Sequence, residues 1–237
     1  MGFRRRLGRC RPKVLLRIDN EEWLIKFRSN DDPQDIGALE YAYHLMALEA
    51  GLQVPEAKLF PSRKGLGFFG VKRFDRKENK RVHMHTMGGL LHVDLDYATI
   101  MKATLYLTRD IRECEHQFRN AIFNVLSHNR DDHAKNFSFL MDEQGTWSVS
   151  PAYDLTFSSG PAGEHATLVM GEGKYPMKNH LLKLAAVGNI KQDKALEIID
   201  HVAGAVQKWV TFAKNANVST AQTKHIQKTL SGIYTDL

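Results

Sequence analysis

His128-Asn129-Arg130-Asp131-Asp132-His133-Ala134-Lys135-Asn136-Phe137 is the stretch on which the reading of this chain turns. It follows a helical pattern over residues 110–127 and precedes an apolar strand pattern over 137–141. Phosphoryl transfer needs a carboxylate to orient and deprotonate the attacking hydroxyl, hard oxygen ligands for Mg²⁺, and a cation on the phosphates. Asp131 and Asn136 stand in the Asp-x-x-x-x-Asn spacing of such a catalytic loop, with Asp131 as base and Asn136 as metal ligand. A second carboxylate is needed after the next hairpin. Asp154, in Ser150-Pro151-Ala152-Tyr153-Asp154-Leu155, follows a hairpin over 137–149 and suits that place. Asn136 and Asp154 are the hard donors that Mg²⁺ prefers. Each piece alone is also compatible with a solvated loop or a turn. The ordered set carries the signal.

Upstream, residues 14–18 and 22–27 read as two strands around an Asp19-Asn20 turn. Lys26 sits in the second, Trp23-Leu24-Ile25-Lys26-Phe27, where a lysine can grip phosphates; a snorkelling surface lysine is the plain alternative. Residues 35–50 repeat Ile36, Leu39, Tyr43, Met46 and Ala47 at helical spacing, and Gly51 is a stop. Glu40 lies on that helix, able to pair with Lys26. Residues 54–60 and 67–74 read as further strands. The second runs into Val71-Lys72-Arg73-Phe74-Asp75, whose backbone can bond an adenine edge while Phe74 packs on the base. A strand end with a core Phe fits it equally. Residues 75–85 are charged and read as loop. Helices are expected over 86–91, 97–107 and 110–127, and again for most of the chain from 180 onward. Residues 158–163 and 171–176 read as loops. The expected fold is α+β and bilobed. Residues 1–12 form a basic arm, 13–75 a small β-rich lobe with one helix, and 76–237 a larger, mainly helical lobe. A cleft between the lobes is where a ligand is expected.

Composition sets the outer bounds. The 237 residues are 43% hydrophobic and 25% charged, which suits a soluble globular chain and excludes collagen-like, low-complexity and wholly disordered readings. No apolar run approaches the ~20 residues of a membrane span. Cys10 and Cys114 support no disulfide framework, and a reducing cytoplasm is the expected compartment. Net charge is +6, yet residues 1–17 hold seven basic residues and no acid, which leaves the rest at −1. A uniformly basic nucleic-acid surface is not indicated. His83-Met84-His85, with His128 and His133, raises zinc, but no Cys or Glu follows at ligand spacing. Serine-hydrolase and dinucleotide-loop motifs are absent.

At these residues the chain resembles the HipA-type toxin kinases. Asp131-Asp132-His133-Ala134-Lys135-Asn136-Phe137-Ser138 with Tyr153-Asp154 is similar to that family's catalytic and metal segments. Arg11-Pro12-Lys13, Trp23–Phe27, Glu40-Tyr41 and Lys72-Arg73-Phe74-Asp75-Arg76 follow its small-lobe motifs in order, and the resemblance runs over roughly residues 7–210. It implies a bilobed kinase-like fold, binding of ATP and Mg²⁺, and serine/threonine protein kinase activity as the toxin of a type II toxin–antitoxin pair. It implies a protein substrate such as an aminoacyl-tRNA synthetase, a helix-turn-helix antitoxin, and contact with DNA only through that antitoxin. Carried over by position, Asp131 is the proton acceptor. Lys26, Lys72, Arg73, Phe74, His133, Ala134, Lys135, Asn136, Tyr153 and Asp154 line the ATP site, with Asn136 and Asp154 on Mg²⁺ and Glu40 as supporting partner. The family's extra N-terminal subdomain, in some systems a separate protein, has no counterpart in the chain. The family's serine- and glycine-rich phosphate loop is replaced by Arg4-Arg5-Arg6-Leu7-Gly8-Arg9-Cys10. That change keeps two other readings open: a nucleotide- or partner-binding module without turnover, and nucleic-acid binding through the arginine arm.

Overall fold

The computed structural model describes residues 11–30, 32–63, 65–77, 80–91 and 96–234. The phosphate-loop remnant and most of the basic arm, residues 1–10, lie outside the described residues.

The chain opens on a hairpin, β1 (Lys13–Ile18) and β2 (Glu21–Lys26). Asp19 and Asn20 both have positive φ, 50° and 64°, as a two-residue turn matched to strand twist requires. Helix α1 (Ile36–Glu49) follows, then β3 (Ala57–Ser62) and β4 (Gly65–Lys72). These strands form one antiparallel sheet in the order β1-β2-β4-β3. Strand β3 starts later than its sequence pattern and carries Pro61. As the edge strand it tolerates the missing N–H. Helix α1 ends at Gly51, whose φ of +75° suits the left-handed stop. Asp35, at the N-cap of α1, makes no side-chain cap; its Oδ2 accepts from the Ser219 amide at 2.8 Å instead. Helix α1 meets the sheet at Gly37, where an added Cβ would lie 2.6 Å from the Gly67 carbonyl oxygen.

Residues 75–85 depart from the loop reading. They hold a short hairpin, β5 (Arg76–Lys77) and β6 (Lys80–Arg81), and then β7 (His83–Thr86). Strand β7 has no apolar alternation of its own. It exists because it pairs with β8 (Ser138–Met141), which in turn pairs with β9 (Trp147–Val149). Helices α2 (Met87–Leu90), α3 (Tyr97–Thr108) and α4 (Ile111–Leu126) lie between β7 and β8. Asp96 and Asp110 cap α3 and α4 by accepting from Ala98 N (2.7 Å) and Arg112 N (2.9 Å). Helices α5 (Lys178–Val187), α6 (Gln192–Gln207), α7 (Trp209–Asn215) and α8 (Thr220–Tyr234) complete the chain. Among the described residues no helix is long and apolar enough to cross a membrane.

One apolar core runs from α1 into the helices of the large lobe. Tyr43 of α1 packs its ring 5.4 Å from Trp209 and 6.4 Å from Phe123. Its hydroxyl donates to the Ser127 carbonyl at 2.6 Å, at the end of α4. Trp209 is fully buried, and its indole N–H reaches the Thr223 carbonyl at 3.1 Å. Trp209→Ala should therefore cost about 3–5 kcal/mol, read as a lowered urea midpoint.

Candidate active site

The sheet and the large lobe flank an open cleft of about 200 Å³. Alternation on β2 decides which side chains reach it: Leu24 and Lys26 line the cleft, while Trp23 and Ile25 are buried off it, Trp23 edge-on to Phe60 at 5.5 Å. Helix α1 adds Glu40 and His44, one turn apart on one face. The strand end adds Lys72, Arg73, Phe74 and Asp75, and the chain after β9 adds Ala152, Tyr153, Asp154 and Leu155.

Lys26 Nζ lies 2.5 Å from Asp154 Oδ1 and 3.1 Å from Glu40 Oε2. Two carboxylates from distant parts of the chain thus converge on one ammonium. Burial alone would lower the Lys26 pKa; the charges of Glu40 and Asp154 outweigh it and hold the ammonium above its ordinary value. Burial alone would raise Asp154, but Lys26 outweighs it, with help from Lys13 and His133, and the carboxyl sits below its ordinary value. The Asp154 backbone is held at φ +56°, a costly conformation for a non-glycine residue and one that clusters at functional sites. Arg11 bridges Asp32 and Glu40, so the far side of Glu40 is also charge-paired.

Asp131, His133, Ala134, Lys135 and Asn136 do not line the cleft wall itself. They flank its Asp154 end. Ala134–Asn136 is a single 3₁₀ turn, tied to the Asp154 segment through Tyr153. The Tyr153 hydroxyl donates to the Lys135 carbonyl at 2.6 Å and accepts from Ser138 Oγ at 2.5 Å. Burial pushes the Tyr153 phenol up to about 12, so it stays a donor. Asn136 Nδ2 donates to the Asp131 carbonyl at 2.9 Å, which leaves its amide oxygen as the atom for a cation. Asp131 is exposed. Desolvation raises its pKa, the Asp154 and Asp132 carboxylates add to the rise, and His133 and Arg11 oppose it.

The Lys72-Arg73-Phe74 stretch is placed differently from its simplest reading. Lys72 is paired with Glu21, and Arg73 with Asp75. The Lys72 amide donates to the Glu56 carbonyl and the Arg73 amide to the Glu22 carbonyl, both at 2.8 Å. Phe74 packs its ring 5.6 Å from Tyr153. Lys13, His44, Val54, Pro55, Phe69 and Met84 also line the cleft and went unread in the sequence. Burial pushes His44 down to about 4, so it is neutral at pH 7. The i, i+4 spacing of Glu40 and His44 was the available signal for it.

The Asp154 carboxylate and the Asn136 amide oxygen are each hard donors of the kind Mg²⁺ prefers, a cation that takes most of its ligands from phosphates and water. His83 packs edge-on to Trp147 at 5.5 Å. Among the described residues no three His, Cys, Asp or Glu side chains converge as a metal site.

HipA of a Shewanella oneidensis toxin–antitoxin system, solved with HipB and its operator DNA, superposes with a TM-score of 0.72 at 16% identity, covering 93% of this chain and 62% of that one. A proinflammatory kinase of Helicobacter pylori, CtkA, superposes with a TM-score of 0.66 at 13% identity, covering 95% of this chain and 90% of that one. The fold is thus kinase-like. A candidate kinase of Sinorhizobium fredii, Y4mE, is 25% identical over 222 residues, 83% of this chain and 53% of its own length. A second, Y4dM, is 26% identical over 150 residues, 56% of this chain and 36% of its own. The chain therefore spans about half or less of the curated relatives it matches. The HipA-like C-terminal domain model matches residues 7–210, most of the length, and the chain belongs to that family.

Proposed function

We propose that this chain is a HipA-like serine/threonine protein kinase that transfers the γ-phosphate of ATP to a protein hydroxyl. The observation that carries this reading is Lys26, held between Glu40 and Asp154 in the cleft, with the exposed Asp131 close enough to feel the Asp154 charge. In this reading the Lys26 ammonium leaves Asp154 to grip the phosphates and stays oriented by Glu40. Adenine packs at Phe74, because the amides of Lys72 and Arg73 are already spent. Asp154 and Asn136 hold Mg²⁺, which when bound neutralises charge on the phosphates. Asp131 orients the acceptor hydroxyl and takes its proton. As members of a toxin–antitoxin pair do, the chain would meet a helix-turn-helix antitoxin and touch DNA only through it. An aminoacyl-tRNA synthetase is the class of acceptor the resemblance favours.

A calorimetric titration with Mg-ATP and a phosphate-transfer assay test the two halves separately. Wild type should bind with millimolar affinity or better, and Asp154→Ala should lose the Mg²⁺-dependent part. No binding at millimolar Mg-ATP would sink the reading. Binding without transfer to any protein would instead favour the module without turnover.

A pH profile follows from the raised pKa of Asp131. The base works deprotonated. As pH falls through its raised value a proton occupies it, and the rate should fall about tenfold per pH unit. The midpoint should lie above the ordinary 3.8 of an aspartate. Initial rates at saturating Mg-ATP measure it, and an acid limb at or below that value would contradict the assignment.

A further inference from the structure

Asp132 is fully buried, although it sits in a polar run between two exposed residues, Asp131 and His133. The Asp131 side chain is exposed and the Asp132 side chain is turned into the interior. A buried carboxylate survives only if its lone pairs are filled. Here they are. Oδ2 accepts from the Tyr97 hydroxyl and from His165 Nδ1, each at 2.8 Å. Oδ1 accepts from the amides of Ala166 (2.8 Å) and Thr167 (3.3 Å). The Asp132 carbonyl takes the Thr167 hydroxyl. Tyr97 is fixed in turn by Asn124 Nδ2 at 2.9 Å, and Asn124 Oδ1 by Asn129 Nδ2 at 2.9 Å. Burial raises the Tyr97 phenol well above its ordinary value, so it remains a donor.

The neighbouring residue straps the same segment. The Arg130 guanidinium donates to the carbonyls of Gly163 and Lys174, and the Arg130 carbonyl accepts from Ala166 N at 3.1 Å. His165 N reaches the Gly173 carbonyl at 2.8 Å. Residues 163–174 follow Asp154 in the chain and have little regular structure of their own. Their order is supplied from two sides: residues 163–167 and 174 by the loop that carries Asp131, and 168–171 by the start of α3, where Asp96 accepts from the Met170 and Gly171 amides and the Tyr97 amide donates to the Leu168 carbonyl.

We infer that Asp132 is a positioning residue, which locks the 163–174 segment to the Asp131 loop and thereby holds Asp131 in place with no added phosphate or partner. The inference rests on the kinase reading for its rate arm, but not for its structural arm. Asp132 does not line the cleft, so nucleotide binding is expected to be indifferent to it.

The test uses the full chain and three measurements on Asp132→Asn. An amide group of the same shape adds two donors where donors already converge. Amide hydrogen exchange at Ala166 and Thr167 should quicken about tenfold or more. The Mg-ATP Kd should stay within about twofold, and kcat should fall about 100-fold with KM for ATP unchanged, as a displaced catalytic group predicts. If Asp132→Asn fails to fold, Tyr97→Phe removes the bond to Asp132 together with the one received from Asn124, and keeps the ring. It should show the same pattern, smaller in size. Unchanged exchange at 166–167 in the variants overturns the inference. So does unchanged kcat, or a loss of ATP binding in proportion to the loss of rate. If the wild type binds Mg-ATP and transfers no phosphate, the kinase reading fails by itself, and exchange with Kd decides the lock.

Discussion

Asp131→Asn should slow phosphoryl transfer about 10³-fold while the affinity for Mg-ATP changes by less than about twofold. The asparagine keeps the size of the side chain and can still receive a hydrogen bond from the acceptor hydroxyl, but it takes no proton. Its position explains why binding is spared. Asp131 is exposed and lies off the cleft wall that Lys26 and Asp154 line. Removing its negative charge, which lies close enough to Asp154 for that carboxylate to raise its proton affinity, leaves nucleotide entry unhindered. Single-turnover transfer beside a calorimetric Kd measures both numbers. A variant as fast as wild type would remove Asp131 from the mechanism. One that no longer binds nucleotide would make it a binding residue.

Lys26→Ala should raise the Kd for Mg-ATP by about 10–100-fold, the worth of one charge-assisted hydrogen bond to phosphate. It should also destabilise the free chain by roughly 1–3 kcal/mol. Glu40, almost wholly buried, loses the cation on its Oε2 and keeps Arg11 on its Oε1. Asp154 adds little to that cost because its side chain is 40% exposed. Lys26→Arg should recover more of the stability than of the binding, since a planar fork is the wrong shape for a slot between two carboxylates. Urea unfolding and calorimetry on the two variants separate the effects. Wild-type affinity in Lys26→Ala would leave the lysine as a structural ion pair and nothing more.

Much of the framework was legible because it is local. The Asp19-Asn20 turn, the apolar stripe of α1 with its stop at Gly51, and the Asp110 cap of α4 each follow from a few neighbouring residues. Lys26 and Asp154 were legible as chemistry, and their meeting across 128 positions is what the fold adds. Strand β7 was not legible, since His83–Thr86 looks like charged loop until β8 arrives to pair with it. Asp132 looked like one more polar residue in a solvated run. Its burial depends on Tyr97 and on residues 165–167, which no local pattern announces. Lys13, His44 and Met84 reach the cleft only through tertiary packing.

The shared core beneath α1 has a further consequence. Swinging that helix outward would strip Tyr43 from Phe123 and Trp209, break its bond to Ser127, and wet apolar surface at about 25 cal/mol per Å². Glu40 rides on this helix and has no cheap way to retreat. Outward rotation of this helix is thus costly, and the carboxylate it carries stays anchored beside Lys26 by the fold itself.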